Sequence, residues 1–407
     1  MAAARSRREP PRGIDSLLAA KEMLIVCGSG GTGKTTVSAA LGALAATRLG
    51  ARVLVLTVDP ARRLATALGI AGDAAAGGGG IGHAETRVDP DLLRRVASPP
   101  PGAKVGELWV AMLDTKAGWD ELIRRHAPDA TLREQVLANP LYQNITGRFV
   151  HSHDYIAMER LHELHGSGRY DLVIIDTPPS RRALDLLDAP GRMREFFGSR
   201  LLRWLTVPYR SRLFTVASKP FYQVADRVLG SRFLQDIAEF FILFQTMEKG
   251  FVARAQEVER LLVDPRTSFV VVTTLEAAPA NEATFLAREL RDRRMHLGAM
   301  VLNRTLPTSI RQPGAAKAAR TLLTATDTGG LAGELAAALG TDDATTRAVL
   351  VEVAERFHDI AVVASREAER RAELEDLGAL TVAVPSLAHD VHDLAGLVEL
   401  GALLQAG

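Results

Sequence analysis

A chain of 407 residues, 47% hydrophobic and with a net charge of +1, is long enough to bury a large core and has no bulk charge to draw it to nucleic acid or an anionic membrane. Its one cysteine, Cys27, excludes an intrachain disulfide and a cysteine-based metal cluster, which fits a reducing cytoplasm. No apolar run reaches the length a membrane span needs.

Residues 1–20 carry Arg5, Arg7 and Arg8, then Pro10 and Pro11, without an apolar h-region, and read as a disordered tail rather than a secretory signal. Residues 23–27 are a short, β-branched apolar run, the pattern of a buried parallel strand. Directly after it stands Gly28-Ser29-Gly30-Gly31-Thr32-Gly33-Lys34-Thr35, which satisfies G-x-x-x-x-G-K-[ST]. An Ala/Leu-rich helix opens at Thr36 and runs to residue 46. Strand, glycine loop and helix N-terminus together make an anion cradle: the glycines let backbone N–H groups turn inward, and the helix dipole favours phosphate charge. Lys34 is expected to reach the β- and γ-phosphates and Thr35 to coordinate Mg²⁺. The stretch is read as a nucleoside triphosphate site.

Residues 52–58 read as a second buried strand ending at Asp59-Pro60, and the Ala/Gly segment 74–82 as a flexible loop. A short strand is expected near residues 86–90. From about 106 to 166 the pattern turns helical, with Trp109, Met112, Leu113, Trp119, Leu122 and Ile123 at helical spacing. Residues 170–176 form a third buried strand closing on Asp176, and a second helical block fills about 183–263. Strands return at 268–273 and 297–302 around a helix at 281–294. Residues 308–346 have no strong pattern and are expected as loop or weak helix. An amphipathic helix follows at 349–377, then a last strand at 379–384 before Pro385.

Alternating buried strands and helices imply a doubly wound, mostly parallel α/β sheet with its site at the carboxyl ends of the strands. Residues 21–407 are thus read as one P-loop domain, with a helical subdomain inserted from about 106–166 and 183–263. An apolar strand ending in Asp176 is the arrangement that holds Mg²⁺, through water or through Thr35; the alternative is a helix-capping aspartate at a strand end. Asp59 is a candidate for orienting or deprotonating an attacking water, and equally a cap before Pro60.

Nine of the thirteen phenylalanines lie between residues 196 and 251, so the second helical block is where aromatic surface concentrates. On one helix Ile237, Phe240, Phe241, Phe244, Met247 and Phe251 form a stripe, while Ile242 and Leu243 fall opposite. Two readings stand: a helix buried within the subdomain, or an apolar groove, with Phe240, Phe241 and Phe244 in it, for a hydrophobic client helix.

These residues resemble a known family. Gly28 to Thr36, then Thr57-Val58-Asp59-Pro60-Ala61, then Asp176-Thr177-Pro178-Pro179-Ser180, then Val301-Leu302-Asn303-Arg304 follow the order and spacing of the anion-transporting ATPases. That family includes arsenical pump-driving ATPases and the eukaryotic ATPases that deliver tail-anchored membrane proteins, within the deviant-Walker-A class that also holds the Min and Par partition ATPases. The resemblance runs from about residue 22 to 400. It implies that Asp59 is the catalytic switch I aspartate, that Asp176 opens switch II, and that Asn303 and the backbone near Pro385 contact adenine, so that the nucleotide is ATP.

Four departures bear on what the resemblance carries over. The family's phosphate loop has lysine where this chain has Ser29, and in relatives that lysine reaches the partner's phosphates across a dimer interface. Arg62 replaces the usual histidine of switch I, and Arg181-Arg182 stand where switch II commonly has Gly-His. The cysteines that hold zinc or arsenite in some relatives are absent. The reading is a cytoplasmic, dimeric, Mg²⁺-dependent ATPase that reshapes a helical surface for a client or membrane protein, not a nucleic-acid binder. The alternative is a catalytically weak regulatory subunit in a heterodimer with a lysine-bearing paralogue.

Overall fold

The computed structural model of the chain describes residues 13–58, 68, 84–99, 102–139, 142–143, 152–179, 248–324 and 329–406, with positions 185, 187–189, 191–192 and 195. Asp59, Arg62, the Ala/Gly segment 74–82, Arg181-Arg182 and Phe240, Phe241 and Phe244 lie outside them.

The described residues build one eight-stranded sheet. Its strands are β1 (Met23–Cys27), β2 (Arg52–Thr57), β3 (Thr86–Arg87), β4 (Glu107–Met112), β5 (Leu172–Asp176), β6 (Thr267–Thr273), β7 (Leu297–Thr305) and β8 (Leu380–Pro385), in the spatial order β3-β4-β2-β5-β1-β6-β7-β8. Every pairing is parallel except that of β3 with β4. β1, β5 and β6 are buried along their whole length, which is why β1, and β5 up to its closing Asp176, read as unbroken apolar runs rather than as alternating ones.

Successive residues of these strands serve two separate cores. Met23, Ile25, Leu54 and Leu56 face one, while Leu24, Val26, Val53 and Val55 face the other. The first core is covered by α4 (Thr115–His126), α6 (Ser152–Gly166), α7 (Glu248–Leu262) and α8 (Ala277–Asp292), with α5 (Ala130–Ala138) beside them. The second is covered by α1 (Ile14–Ala20), α2 (Lys34–Arg48), α3 (Pro90–Ala97) and the carboxy-terminal helix α12 (Leu394–Ala406). Helices on both faces of a mostly parallel sheet make this a doubly wound α/β fold.

Three expectations are corrected. Residues 107–112 are not helical: they pair with β2 in parallel from Arg52↔Glu107 to Thr57↔Met112. Leu108 and Val110 enter one core and Ala111 the other, so both faces are apolar, the period of two is hidden, and Trp109 and Met112 fall by accident at helical spacing. Residues 14–20 are not tail: they form α1, whose Ile14, Leu17 and Leu18 are buried against the second core. Finally, 308–346 is mostly helix, with a 3₁₀ turn (Thr308–Arg311), α9 (Pro313–Thr324), α10 (Gly329–Leu339) and the start of the 33-residue α11 (Asp343–Glu375), capped by the Asp342 side chain on the Thr345 amide.

α6 and α7 are joined by a buried ion pair. Arg254 Nε donates to both Glu159 oxygens at 2.9 Å, with side-chain exposures of 13% and 9%. Tyr155 donates to Glu159 as well, and burial beside that carboxylate raises its phenol far above the usual range. The Arg254 guanidinium lies 5.1 Å from the centre of the Phe251 ring, which packs on Trp119 and Tyr155. Phe251, the one described member of the aromatic stripe, is therefore core. Arg254→Ala is expected to destabilise the fold by about 3–5 kcal/mol, because Glu159 is left charged and buried. In chemical denaturation the double variant Glu159→Leu/Arg254→Met should recover most of that loss; equal losses in both would contradict it.

Candidate functional site

The site grows from the end of β1. Gly28, Gly31 and Gly33 have φ of +151°, +81° and +92°, conformations that cost a residue with a Cβ far more than glycine. At Gly28 a Cβ would also run into the Val272 carbonyl oxygen of β6, so this strand's neighbour leaves no room for a side chain. Gly33 is the N-cap of α2, whose first residue is Lys34. The open amides of that helix end and its dipole face the loop.

Within the loop, the Ser29 carbonyl accepts from Lys34 Nζ at 2.9 Å and from the Thr32 hydroxyl at 3.0 Å. Lys34 is 8% exposed, so its ammonium lies against the loop rather than in solvent. Ser29 itself is buried, its hydroxyl shielded from solvent and without a hydrogen-bond partner among the described residues. Thr36 is the third residue of α2, half-buried, and Gly30 and Gly31 are exposed. Beneath the loop, burial pushes the Cys27 thiol up to about 12, against the pull of the Lys34 cation, which leaves the single cysteine unreactive.

Asp176 ends β5 and is fully buried. The register sets it opposite Val26 of β1 on one side and Thr57 of β2 on the other. Its Oδ2 accepts from Thr35 at 2.7 Å and from Thr57 at 2.9 Å. Thr35 thus spends its proton on Asp176 and keeps hydroxyl lone pairs to offer. A hydroxyl and a carboxylate side by side are hard oxygen donors of the kind Mg²⁺ takes together with phosphate oxygens. No cluster of three or more His, Cys, Asp or Glu able to hold a metal exists among the described residues, so a cation here would depend on a ligand for its remaining donors.

On the other side of β1, Asn303 of β7 donates from Nδ2 to the Thr32 carbonyl at 2.8 Å, and its side chain fills the space a Cβ on Gly33 would need. Pro385 ends β8 beside it, paired with Thr305, and the Ser386 amide donates to the Thr305 carbonyl at 2.9 Å. The structure therefore gathers the loop, Thr35, Asp176, Asn303 and Pro385 at the carboxyl ends of β1, β5, β7 and β8.

The residue leading to Asp59 is held from two directions. The Val58 amide donates to the Asp176 carbonyl at 3.0 Å, and the Val58 carbonyl accepts from His153 Nε2 at 2.9 Å. His153 Nδ1 meets the Thr115 hydroxyl at 2.5 Å. Because a carbonyl only accepts, Nε2 carries the proton, and in the neutral ring Nδ1 accepts from Thr115. Sequence reasoning missed Thr57, His153 and Thr115. Thr57 was detectable as the last inward position of β2, but His153 is one of ten histidines and nothing local marks it.

A family model described as anion-transporting ATPase matches residues 21–324. Among individual relatives, an uncharacterized protein of Streptomyces coelicolor is 31% identical over 288 residues, 70% of this chain and 62% of that protein. The chain thus spans somewhat under two thirds of that relative. An ATPase ASNA1 homolog of Entamoeba dispar is 24% identical over 304 residues, 73% of this chain and 81% of that protein. No helix among the described residues is long and apolar enough to cross a membrane.

Proposed function

This chain belongs to the anion-transporting ATPase family, and we propose that it binds Mg²⁺·ATP in the loop of residues 28–35 and hydrolyses it. The observation that carries the reading is the bond from Thr35 to Asp176: it joins the phosphate loop to the end of β5, which neighbours β1 in the sheet although three strands intervene in sequence, and leaves the hydroxyl's lone pairs to serve a metal. In this reading Lys34 leaves the Ser29 carbonyl for the β- and γ-phosphates, and the amides at the start of α2 take phosphate oxygens. Thr35 and Asp176 would hold Mg²⁺, which when bound would supply positive charge against the phosphate oxygens. Asp59, two residues beyond Thr57, positions the attacking water. Asn303 and Pro385 flank the adenine.

In this reading the segments of about 106–166 and 183–263, apart from β4 and the helices α4, α6 and α7 that cover the first core, supply the inserted subdomain, which changes shape with nucleotide state in a dimer. Its aromatic residues, Phe240, Phe241 and Phe244 among them, would receive a hydrophobic helical client or membrane protein. A second reading has one observation in its favour: Ser29 replaces the family's interface lysine and its hydroxyl is shielded from solvent, so a homodimer would lack the clamp at both sites. The chain would then be a slow ATPase that works beside a lysine-bearing paralogue.

Steady-state hydrolysis by the purified chain, by Asp59→Asn and by Ser29→Lys separates these readings. Asp59→Asn is expected to retain ATP affinity and lose turnover by at least about a hundredfold, the scale of a lost general base. Normal turnover in that variant would remove Asp59 from the chemistry. Brisk turnover by the chain alone, unchanged in Ser29→Lys, would remove the heterodimer reading.

A further inference from the structure

β7 ends in an irregularity whose two central residues both reach the phosphate loop. Its pairing with β8 passes from Leu302↔Ala383 to Thr305↔Pro385, so β7 advances three residues where β8 advances two. One residue is extra, the mark of a β-bulge. In a regular strand neighbouring side chains point to opposite faces. Here Asn303 Nδ2 donates to the Thr32 carbonyl at 2.8 Å, and the next residue, Arg304, donates from its guanidinium to the Gly31 carbonyl at 3.4 Å.

Arg304 has φ of +57°, a left-handed backbone that is costly for a residue with a Cβ and that persists only where its surroundings hold it. One such hold is local, the Arg304 amide donating to Asn303 Oδ1 at 3.0 Å. Glycine would suit the position better, so the arginine side chain is the reason to look for a role here.

A trans peptide is planar, and the carbonyl of one residue points opposite to the amide N–H of the next. Holding the Gly31 and Thr32 carbonyls toward β7 therefore turns the N–H groups of Thr32 and Gly33 the other way. A loop whose carbonyls are drawn off to one side presents donors, not acceptors, to an anion on the other.

We infer that Asn303 and Arg304 are positioning residues, set side by side by the bulge, that hold the phosphate loop in its anion-binding arrangement. This rests on the reading of the loop as a triphosphate site and assigns Asn303 a task separate from contact with a base. Affinity for the triphosphate group, whatever is attached to it, depends on both side chains. Their effect is on binding rather than on the chemical step.

The test is calorimetric titration of the full chain with Mg²⁺·ATP and with inorganic tripolyphosphate, in wild type, Asn303→Ala, Arg304→Gly and Lys34→Ala. Arg304→Gly is expected to weaken both ligands by a similar factor, roughly three- to tenfold, the scale of one hydrogen bond, and Asn303→Ala to weaken tripolyphosphate by that factor and ATP by at least as much. Arg304→Gly should melt at the wild-type temperature, since glycine accepts the left-handed backbone, so its loss of affinity is not a loss of fold. A drop for ATP alone would make Asn303 a base contact and overturn the brace, as would unchanged affinity for both ligands in both variants. If wild type binds no ATP, or Lys34→Ala binds it as well as wild type, the nucleotide reading itself falls, a result distinct from failure of the brace.

Discussion

Lys34→Ala is expected to lose Mg²⁺·ATP binding by roughly two to four orders of magnitude while the chain stays folded. Hydrogen bonds to charged groups are worth about 1.5–3 kcal/mol each. One to the β- and one to the γ-phosphate sum to about 3–6 kcal/mol, which is roughly 10²–10⁴ in Kd. The structural cost is small by comparison. Lys34 opens α2, where alanine is a good helix former, and its ammonium rests on the Ser29 carbonyl. The Ser29 carbonyl keeps a second donor in the Thr32 hydroxyl. Titration with ATP alongside thermal melting separates the two effects. Affinity within a few-fold of wild type would mean that the cradle does not hold the triphosphate.

The sequence made β1 and β5 legible because burial on both faces left no polar residue in their interiors. Met23–Cys27 and Leu172–Asp176 are unbroken apolar runs, and each ends where the chemistry begins, at Gly28 and at Asp176. The same property hid β4. With Leu108 and Val110 in one core and Ala111 in the other, its apolar residues fit a helix as readily as a strand, and only the pairing with β2 decides. α1 was missed for a different reason. α1 is only seven residues long, and its few apolar residues gain meaning from α2 and α12 packed beside them.

In the site, the loop and Asp176 were readable from motif and strand end, and Asn303 and Pro385 from resemblance. The bulge was not, since an extra residue in β7 shows itself only against β8. Nor was the clasp of His153 on the Val58 carbonyl, which joins residues 95 positions apart. Such contacts leave no local period. Asp59 and the stripe of Phe240, Phe241 and Phe244 lie outside the described residues, and their roles rest on position and resemblance.

Asp176→Asn is expected to remove most of the dependence of ATP affinity on Mg²⁺. The carboxylate is fully buried and takes two hydroxyl protons on one oxygen, from Thr35 at 2.7 Å and from Thr57 at 2.9 Å. By accepting from Thr35 it turns that hydroxyl's lone pairs outward and makes them more basic, while its own charge offsets that of a divalent cation. Asparagine has nearly the same shape and keeps one carbonyl oxygen to receive both hydroxyls, so β5 and its registers with β1 and β2 should survive. What it lacks is the negative charge. Replacing such a supporting group typically costs 10- to 100-fold in metal affinity, and the loss should show as a 10- to 100-fold higher Mg²⁺ concentration for half-maximal ATP binding. Affinity measured with EDTA provides the control. Without the cation, asparagine removes a repulsion between carboxylate and phosphate, so metal-free ATP should bind the variant as well as wild type or better. A variant that weakens ATP equally with and without Mg²⁺ would place Asp176 in the architecture of the loop and not in the handling of the metal.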